Sequence, residues 1–207
     1  MRVTQVVELS KSRSKVYIEQ EFAFVLYKGE LRLYHVREGE EITEKDYCTI
    51  MQEVLPKRAK LRAMNLLQSR EYTTFQLRNK LKQGFYPEQV IDEALEYVSS
   101  YHYTDDLRYA LDYITYNEDK KSRLRIEQDL QSKGISRETI ERAWDEWQEL
   151  GGQQDEQAMI AELLRKKNYD AEQADAKEQQ KIYGFLMRKG FSGEQIRRAM
   201  NSDIFDD

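Results

Sequence analysis

The feature that most constrains this chain is a spacing of apolar residues that occurs three times. Leu77, Leu81, Ile91, Ala94 and Leu95 form the first copy. Ile126, Leu130, Ile140, Ala143 and Trp144 form the second, and Ile182, Leu186, Ile196, Ala199 and Met200 the third. Each copy steps by 4, 10, 3 and 1 residues. The first step puts two residues on one helix face, and the last two steps do the same on a following helix. Between them lie Gly84, Gly134 and Gly190, in the place of a helix C-terminal turn. Ser136 and Ser192 stand where an N-cap belongs, and Pro87 suits a first helical turn. In the first copy the glycine is displaced by one residue, which predicts a turn of different shape.

A further helical stretch precedes each pair: Lys57 to Ser69, Thr104 to Asn117, and Asp155 to Lys167. The repeat is therefore a three-helix unit of about 50 residues, within the range of tandem arrays whose units mainly touch their neighbours. The alanines at 94, 143 and 199 predict close helix approach. The expected fold is mainly α: a tandem array of three three-helix repeats, with a small N-terminal β-hairpin/α segment. Its predicted boundaries are 1–55, 56–103, 104–153 and 154–207.

The N-terminal segment differs. Val3 to Val7, Lys15 to Glu19 and Glu21 to Val25 are rich in β-branched and aromatic residues bounded by polar ones, which predicts a hairpin or three-stranded antiparallel sheet. Such a sheet needs a helix to pack on, and Leu26 to Val36 is the expected partner. Thr43 is expected to cap a helix that Pro56 ends.

Composition excludes several classes. No apolar run approaches the ~20 residues of a membrane helix, and the start lacks a signal segment, so the expected location is the cytoplasm. One cysteine, Cys48, permits no internal disulfide, and His35 and His102 stand apart from it, so no metal or other cofactor is expected. There is no Gly-rich phosphate loop and no nucleophile–base pair, so no enzyme is indicated. Asp105-Asp106 is read as first-turn acid behind a Thr104 N-cap, not as a catalytic or metal pair.

The net charge of −5 argues against bulk attraction to bare DNA. Only residues 56–101 are net positive, at +3. There Arg58 and Arg62 are spaced to share a face, and Arg70 and Lys80 follow. A second cluster, Lys120, Lys121, Arg123 and Arg125, opens a predicted helix. Cations there oppose the helix dipole, so local stability does not account for them. These eight residues are the candidates for contact with DNA phosphate or an acidic protein surface, and a solvated face is the alternative for the first cluster. A third cluster, Arg188-Lys189 and Arg197-Arg198, is partly explained by a helix C-terminus. Trp144 and Trp147 lie on the face already assigned to the core, which favours packing over base stacking. Tyr97, Tyr101, Tyr103, Tyr109, Tyr113 and Tyr116 cluster across the junction of the first and second repeats; most are expected to be packed there, with one or two at a partner surface.

Four stretches carry a family resemblance. Arg70-Glu71-Tyr72-Thr73-Thr74-Phe75-Gln76-Leu77-Arg78-Asn79-Lys80-Leu81 resembles the R-x-x-[ST]-x-x-[EQ]-L-x-x-K-L stretch of RecX proteins. Tyr103 to Ile114 is similar to their Y-[LI]-D-D-x-x-[FY]-A-x-x-[YF]-[VI], with His102 where glycine is usual before the tyrosine. Arg125 to Ile135 resembles R-[LI]-x-x-[ED]-L-x-x-K-G-I, and Phe185 to Phe191 resembles [YF]-L-x-R-[RK]-G-F. The resemblance implies a row of three-helix repeats, acting as a monomer, that lodges in the groove of the RecA–single-stranded DNA filament. It implies lowered RecA ATPase and strand exchange, hence a role in recombination, DNA repair and the SOS response, with no catalytic residues. The competing reading is a direct DNA binder using helix-turn-helix-like units. It is disfavoured by the acids Glu88, Asp92, Glu138 and Glu141 on the helices that would enter the groove.

Overall fold

The computed structural model describes residues 1–201. Its contacts divide it into two compact units, Met1–Asp105 and the chain from Asp106 onward.

The first unit begins with an antiparallel sheet of β1 (Val3–Ser10), β2 (Arg13–Ile18) and β3 (Glu21–Tyr27), in that order. The period-two pattern of β2 turns Ser14, Val16 and Ile18 inward. The β2–β3 turn places both Glu19 (φ 49°) and Gln20 (φ 71°) in left-handed backbone without glycine. Two bonds to the start of the chain hold it: Arg2 N donates to Glu19 Oε1 (2.7 Å) and Gln20 N to Thr4 Oγ1 (3.0 Å).

The expected partner helix of the sheet is displaced. Leu26 is a buried strand residue, and the short helix α1 (Lys28–Leu33) adds only a half-buried Leu31 to the core. The sheet instead shares its core with the helix after it. Val3, Val16, Phe24 and Leu26 cluster with Ile50, Met51, Leu55 and Ala59. Nor does Pro56 end a helix. Helix α2 (Glu44–Thr49), capped by Thr43, continues through a π-helical turn (Ile50–Val54) into α3 (Leu55–Ser69). Pro56 sits in the first turn of α3. A proline ring collides with the carbonyl four residues back in a regular α-helix, and the wider π turn opens that place.

Helices α3, α4 (Thr74–Gln83) and α5 (Glu88–Ser100) form the first repeat, with Pro87 preceding α5. In the second unit α6 (Asp106–Asn117), α7 (Arg123–Ser132) and α8 (Arg137–Glu149) form the second repeat. The third repeat is α9 (Glu156–Lys166), α10 (Ala176–Arg188) and α11 (Gly193–Asn201). All fifteen residues of the shared spacing are buried, none more than 7% exposed. Trp144 and Trp147 are core, their rings edge to face at 5.2 Å. Helix α6 begins one residue later than expected of a Thr104 cap. Thr104 Oγ1 is buried, with no hydrogen-bond partner among the described residues.

The joint between the paired helices has one geometry in all three repeats. The N–H groups of Phe85, Gly134 and Gly190 reach back three residues to Lys82, Gln131 and Met187. Those of Tyr86, Ile135 and Phe191 reach back five, to Leu81, Leu130 and Leu186. This is the Schellman pattern, which needs a left-handed residue. Gly134 (φ 82°) and Gly190 (φ 92°) supply it, and in the first repeat Phe85 (φ 63°) does. The expected difference in turn shape is absent; glycine has changed function instead. Gly84 has an ordinary helical φ of −79°, but a Cβ there would lie 2.9 Å from the Tyr86 ring.

Candidate functional site

The eight cations singled out from sequence separate into two groups. Arg58 points inward from α3. It forms an ion pair with Glu30, donates to Val25 O (3.1 Å) and lies 4.7 Å from the Tyr27 ring. Its side chain is 18% exposed. Arg58 therefore fastens α3 to β3 and α1, while Arg62, one turn on, is exposed. The two do not present a common charged face. Arg70 is exposed over the Tyr72 ring at 4.3 Å, and Lys80 is half-buried on α4. Among the described residues Arg62, Arg70 and Lys80 make no ion pair.

The second cluster is tied down locally, contrary to expectation. Lys120 Nζ donates to Tyr116 O (2.8 Å), where α6 ends and the helix dipole favours a cation. Arg123 pairs with Glu127 (2.9 Å) and covers the Trp144 ring at 4.8 Å. Arg125 pairs with Asp129 (3.3 Å). Lys121 donates to both Tyr113 Oη (2.8 Å) and Asp129 Oδ2 (2.9 Å), closing a triad between α6 and α7. Acids one turn along α7 thus offset the unfavourable dipole. Burial works against both charges of the triad. The hydrogen bonds to Tyr113 and Asp129 outweigh it for Lys121, whose pKa is raised. Those from Lys121 and Tyr113, with the charges of Lys121 and Arg125, hold Asp129 below the usual carboxylate range.

The N-terminus of α7 also joins repeats two and three. Ser122 caps it and donates to Lys189 O (3.0 Å). A Cβ on Gly190 would stand 2.4 Å from that hydroxyl, so this glycine serves close approach as well as turn geometry. Glu156 accepts from Arg123 N and from Gln195 Nε2, each at 2.6 Å. Beside this polar joint lies an open cleft of about 610 Å³, lined by residues including Arg123, Trp144, Trp147 and Gln195.

Two surface features go beyond the sequence expectations. Three of the six junction tyrosines are exposed, against an expectation of one or two: Tyr116 by 72%, and in the first unit Tyr101 and Tyr103 by 59% and 50%, their rings stacked at 6.0 Å. In the third repeat Lys167, Lys177, Lys181 and Arg188 surround Phe185 in a cleft of about 430 Å³. The −2 charge of residues 154–207 hides this cluster, and Lys167 is remote in sequence from the other three. The 4-residue step between Lys177 and Lys181 was the available signal.

The R-x-x-[ST]-x-x-[EQ]-L stretch acquires a structural meaning. Gln76 N donates to Thr73 Oγ1 (3.2 Å) and Thr73 N to Gln76 Oε1 (3.4 Å), a capping box that starts α4. Comparison with known proteins matches the helix triplets one by one. Residues 59–97 match the first three-helix domain of RecX, 105–143 the second and 154–200 the third. The regulatory protein RecX of Caldanaerobacter subterraneus subsp. tengcongensis is 30% identical over 206 residues, covering 97% of this chain and 99% of that protein. That of Clostridioides difficile is 28% identical, covering 91% and 88%. A crystal structure of regulatory protein RecX shares the fold, with a TM-score of 0.62 at 23% identity over 97% of this chain and 99% of that one. RecX from Lactobacillus salivarius does so with a TM-score of 0.59 at 22% identity, over 71% and 95%. With each helix triplet matched in order and a relative of this identity aligned end to end, the chain belongs to the RecX family of regulatory proteins.

Proposed function

We propose that this protein binds the RecA–single-stranded DNA filament and restrains it, lowering its ATPase and strand-exchange activity. The observation that carries the reading is the succession of three RecX helix triplets along residues 59–200. Of the cations expected to face the filament, Arg62, Arg70 and Lys80 are the ones that make neither an ion pair nor a side-chain hydrogen bond among the described residues; Lys120, which pairs with no carboxylate, is held by Tyr116 O. We assign the contact to them and assign Arg58, Lys120, Lys121, Arg123 and Arg125 to holding helices and repeats together. The groove-reading alternative is weakened by the first repeat, where Glu88 and Asp92 of α5 neutralise Arg78 (3.1 and 2.5 Å) and Glu88 also pairs with Lys82 (2.6 Å). A recognition helix with acids outward repels phosphate. Among the described residues no helix is long and apolar enough to cross a membrane, and no group of three or more His, Cys, Asp or Glu is placed to hold a metal ion.

The test is RecA-driven ATP hydrolysis on single-stranded DNA with and without the protein. Slowing at substoichiometric protein is expected. An unchanged rate at equimolar protein overturns the proposal.

A further inference from the structure

The third repeat holds a concentration of positive charge that its own acids leave unmatched. Lys177, Lys181 and Arg188 project from α10 into one cleft, and Lys167 enters it from the end of α9. Among the described residues none of the four makes an ion pair. Two acids share the cleft, Asp175 and Glu178. The Asp175 carboxylate is occupied as the N-cap of α10, accepting from Glu178 N at 2.7 Å. Four cations thus line the cleft with two acids, a local excess of two positive charges in a chain whose net charge is −5.

The half-buried ring of Phe185 organises these charges. Lys167 Nζ lies 5.2 Å and Lys189 Nζ 5.8 Å from its centroid. A ring so placed steadies flexible ammonium groups without neutralising them. Arg188 is laid along its own helix, since a Cβ on Gly184 would meet its Nη1 at 3.3 Å. Glycine costs about 1 kcal/mol in a helix interior, and here it leaves room for the guanidinium.

We propose that this cleft binds the phosphodiester backbone of single-stranded DNA directly. The observations favour a phosphate backbone over an acidic polypeptide on two grounds. The cations form an open row along α10 and across to α9, matching a repeated charge on a flexible chain. The lining also contains no amide side chain to meet a peptide backbone. With ammonium groups already at the ring, the cleft reads charge and not base identity. This inference does not depend on RecA, because it concerns DNA alone.

The test is fluorescence anisotropy of a labelled oligothymidylate titrated with the full chain over a range of salt concentrations. Four phosphate contacts predict a log–log salt slope of about −3 for a single strand. Lys177→Glu/Lys181→Glu alters two exposed side chains and should leave the melting midpoint unchanged while weakening binding at least tenfold and flattening the slope. Lys11→Glu/Lys45→Glu, two exposed cations of the other unit with no assigned contact, should leave DNA binding at the wild-type value. Polyglutamate of equal charge serves as competitor. The proposal is overturned if the wild-type chain does not bind the oligonucleotide, if the Lys177/Lys181 variant keeps affinity and slope, or if polyglutamate competes as strongly as unlabelled DNA.

Discussion

Left-handed backbone at helix ends is occupied by non-glycine residues at several places in this chain, and each is a local test of what holds the turn. His102 (φ 55°) follows α5 in a Schellman turn, with His102 N donating to Ser99 O and Tyr103 N to Val98 O. Its side chain is exposed, so no burial offsets the strain. An L-residue in this conformation costs about 1–2 kcal/mol, and glycine returns part of that gain through its freer unfolded chain. His102→Gly is therefore expected to stabilise the protein by about 1 kcal/mol, seen as a higher melting midpoint by circular dichroism. Phe85 has the same backbone but a different side-chain environment: its ring lies 6.3 Å from Phe22 and 4.1 Å from Lys15 Nζ. Phe85→Gly relieves the same strain yet removes the ring that ties the first repeat to the sheet, and should lower the midpoint. Equal shifts for the two substitutions would show that the ring contacts contribute nothing. These residues also explain one limit of reading the sequence. A rule that looks for glycine or asparagine finds Gly134 and Gly190 but passes over Phe85, His102 and the Glu19-Gln20 turn, because tertiary contacts or neighbouring bonds carry the strain there.

At the scale of elements, the helix pairs were legible because fifteen apolar positions had to be buried at helical spacing. What was not legible depended on the path between elements. Pro56 signals a stop by itself, and only the π turn ahead of it makes continuation possible. The burial of Trp144 sets the energy of the second repeat: Trp144→Ala should cost ~3–5 kcal/mol, as other large core truncations do, whereas Arg142→Ala, exposed two residues earlier, should have little effect on the denaturant midpoint. The Lys121–Tyr113–Asp129 triad predicts a pH signature for the same repeat. Asp129 is depressed, so its contribution is complete above the unfolded carboxylate value of about 3.9 and is lost as pH falls through the lower folded value. Lys121 is raised, so its contribution is complete below the unfolded value of about 10.4 and is lost as pH rises through the higher folded value. Asp129→Asn should flatten the acid limb of the stability profile and Lys121→Met the alkaline limb, each lowering stability at neutral pH. An unchanged acid limb in the Asn variant would remove Asp129 from the account.

For the whole molecule, the question is which charges are available to a partner and which already hold the fold. Sequence located the basic segments but could not separate these roles, because Glu30, which neutralises Arg58, lies 28 residues away on another element. The acids that match Arg123 and Arg125 were in plain sight at four residues' distance, yet their role emerged only with the helix that aligns them. Charge reversal across both clusters would therefore damage the fold and the contact surface together, and its loss of activity would mean little. The informative variant is Arg62→Glu/Arg70→Glu/Lys80→Glu, confined to residues that make no ion pair among the described residues. If these cations meet the filament, inhibition of RecA ATPase should fall sharply and its residual salt dependence should flatten, at an unchanged melting midpoint. Arg58→Glu provides the opposite case. It places a carboxylate against Glu30 in a mostly buried site, so it should lower the folding stability by about 3–5 kcal/mol, as breaking a buried pair does, with a lower melting midpoint, and reduce inhibition only through the unfolded fraction. Normalising inhibition to folded protein separates the two effects. A triple variant that inhibits like wild type, with the same response to salt, would remove the first-repeat cations from the contact and leave the surfaces of the second and third repeats to carry it.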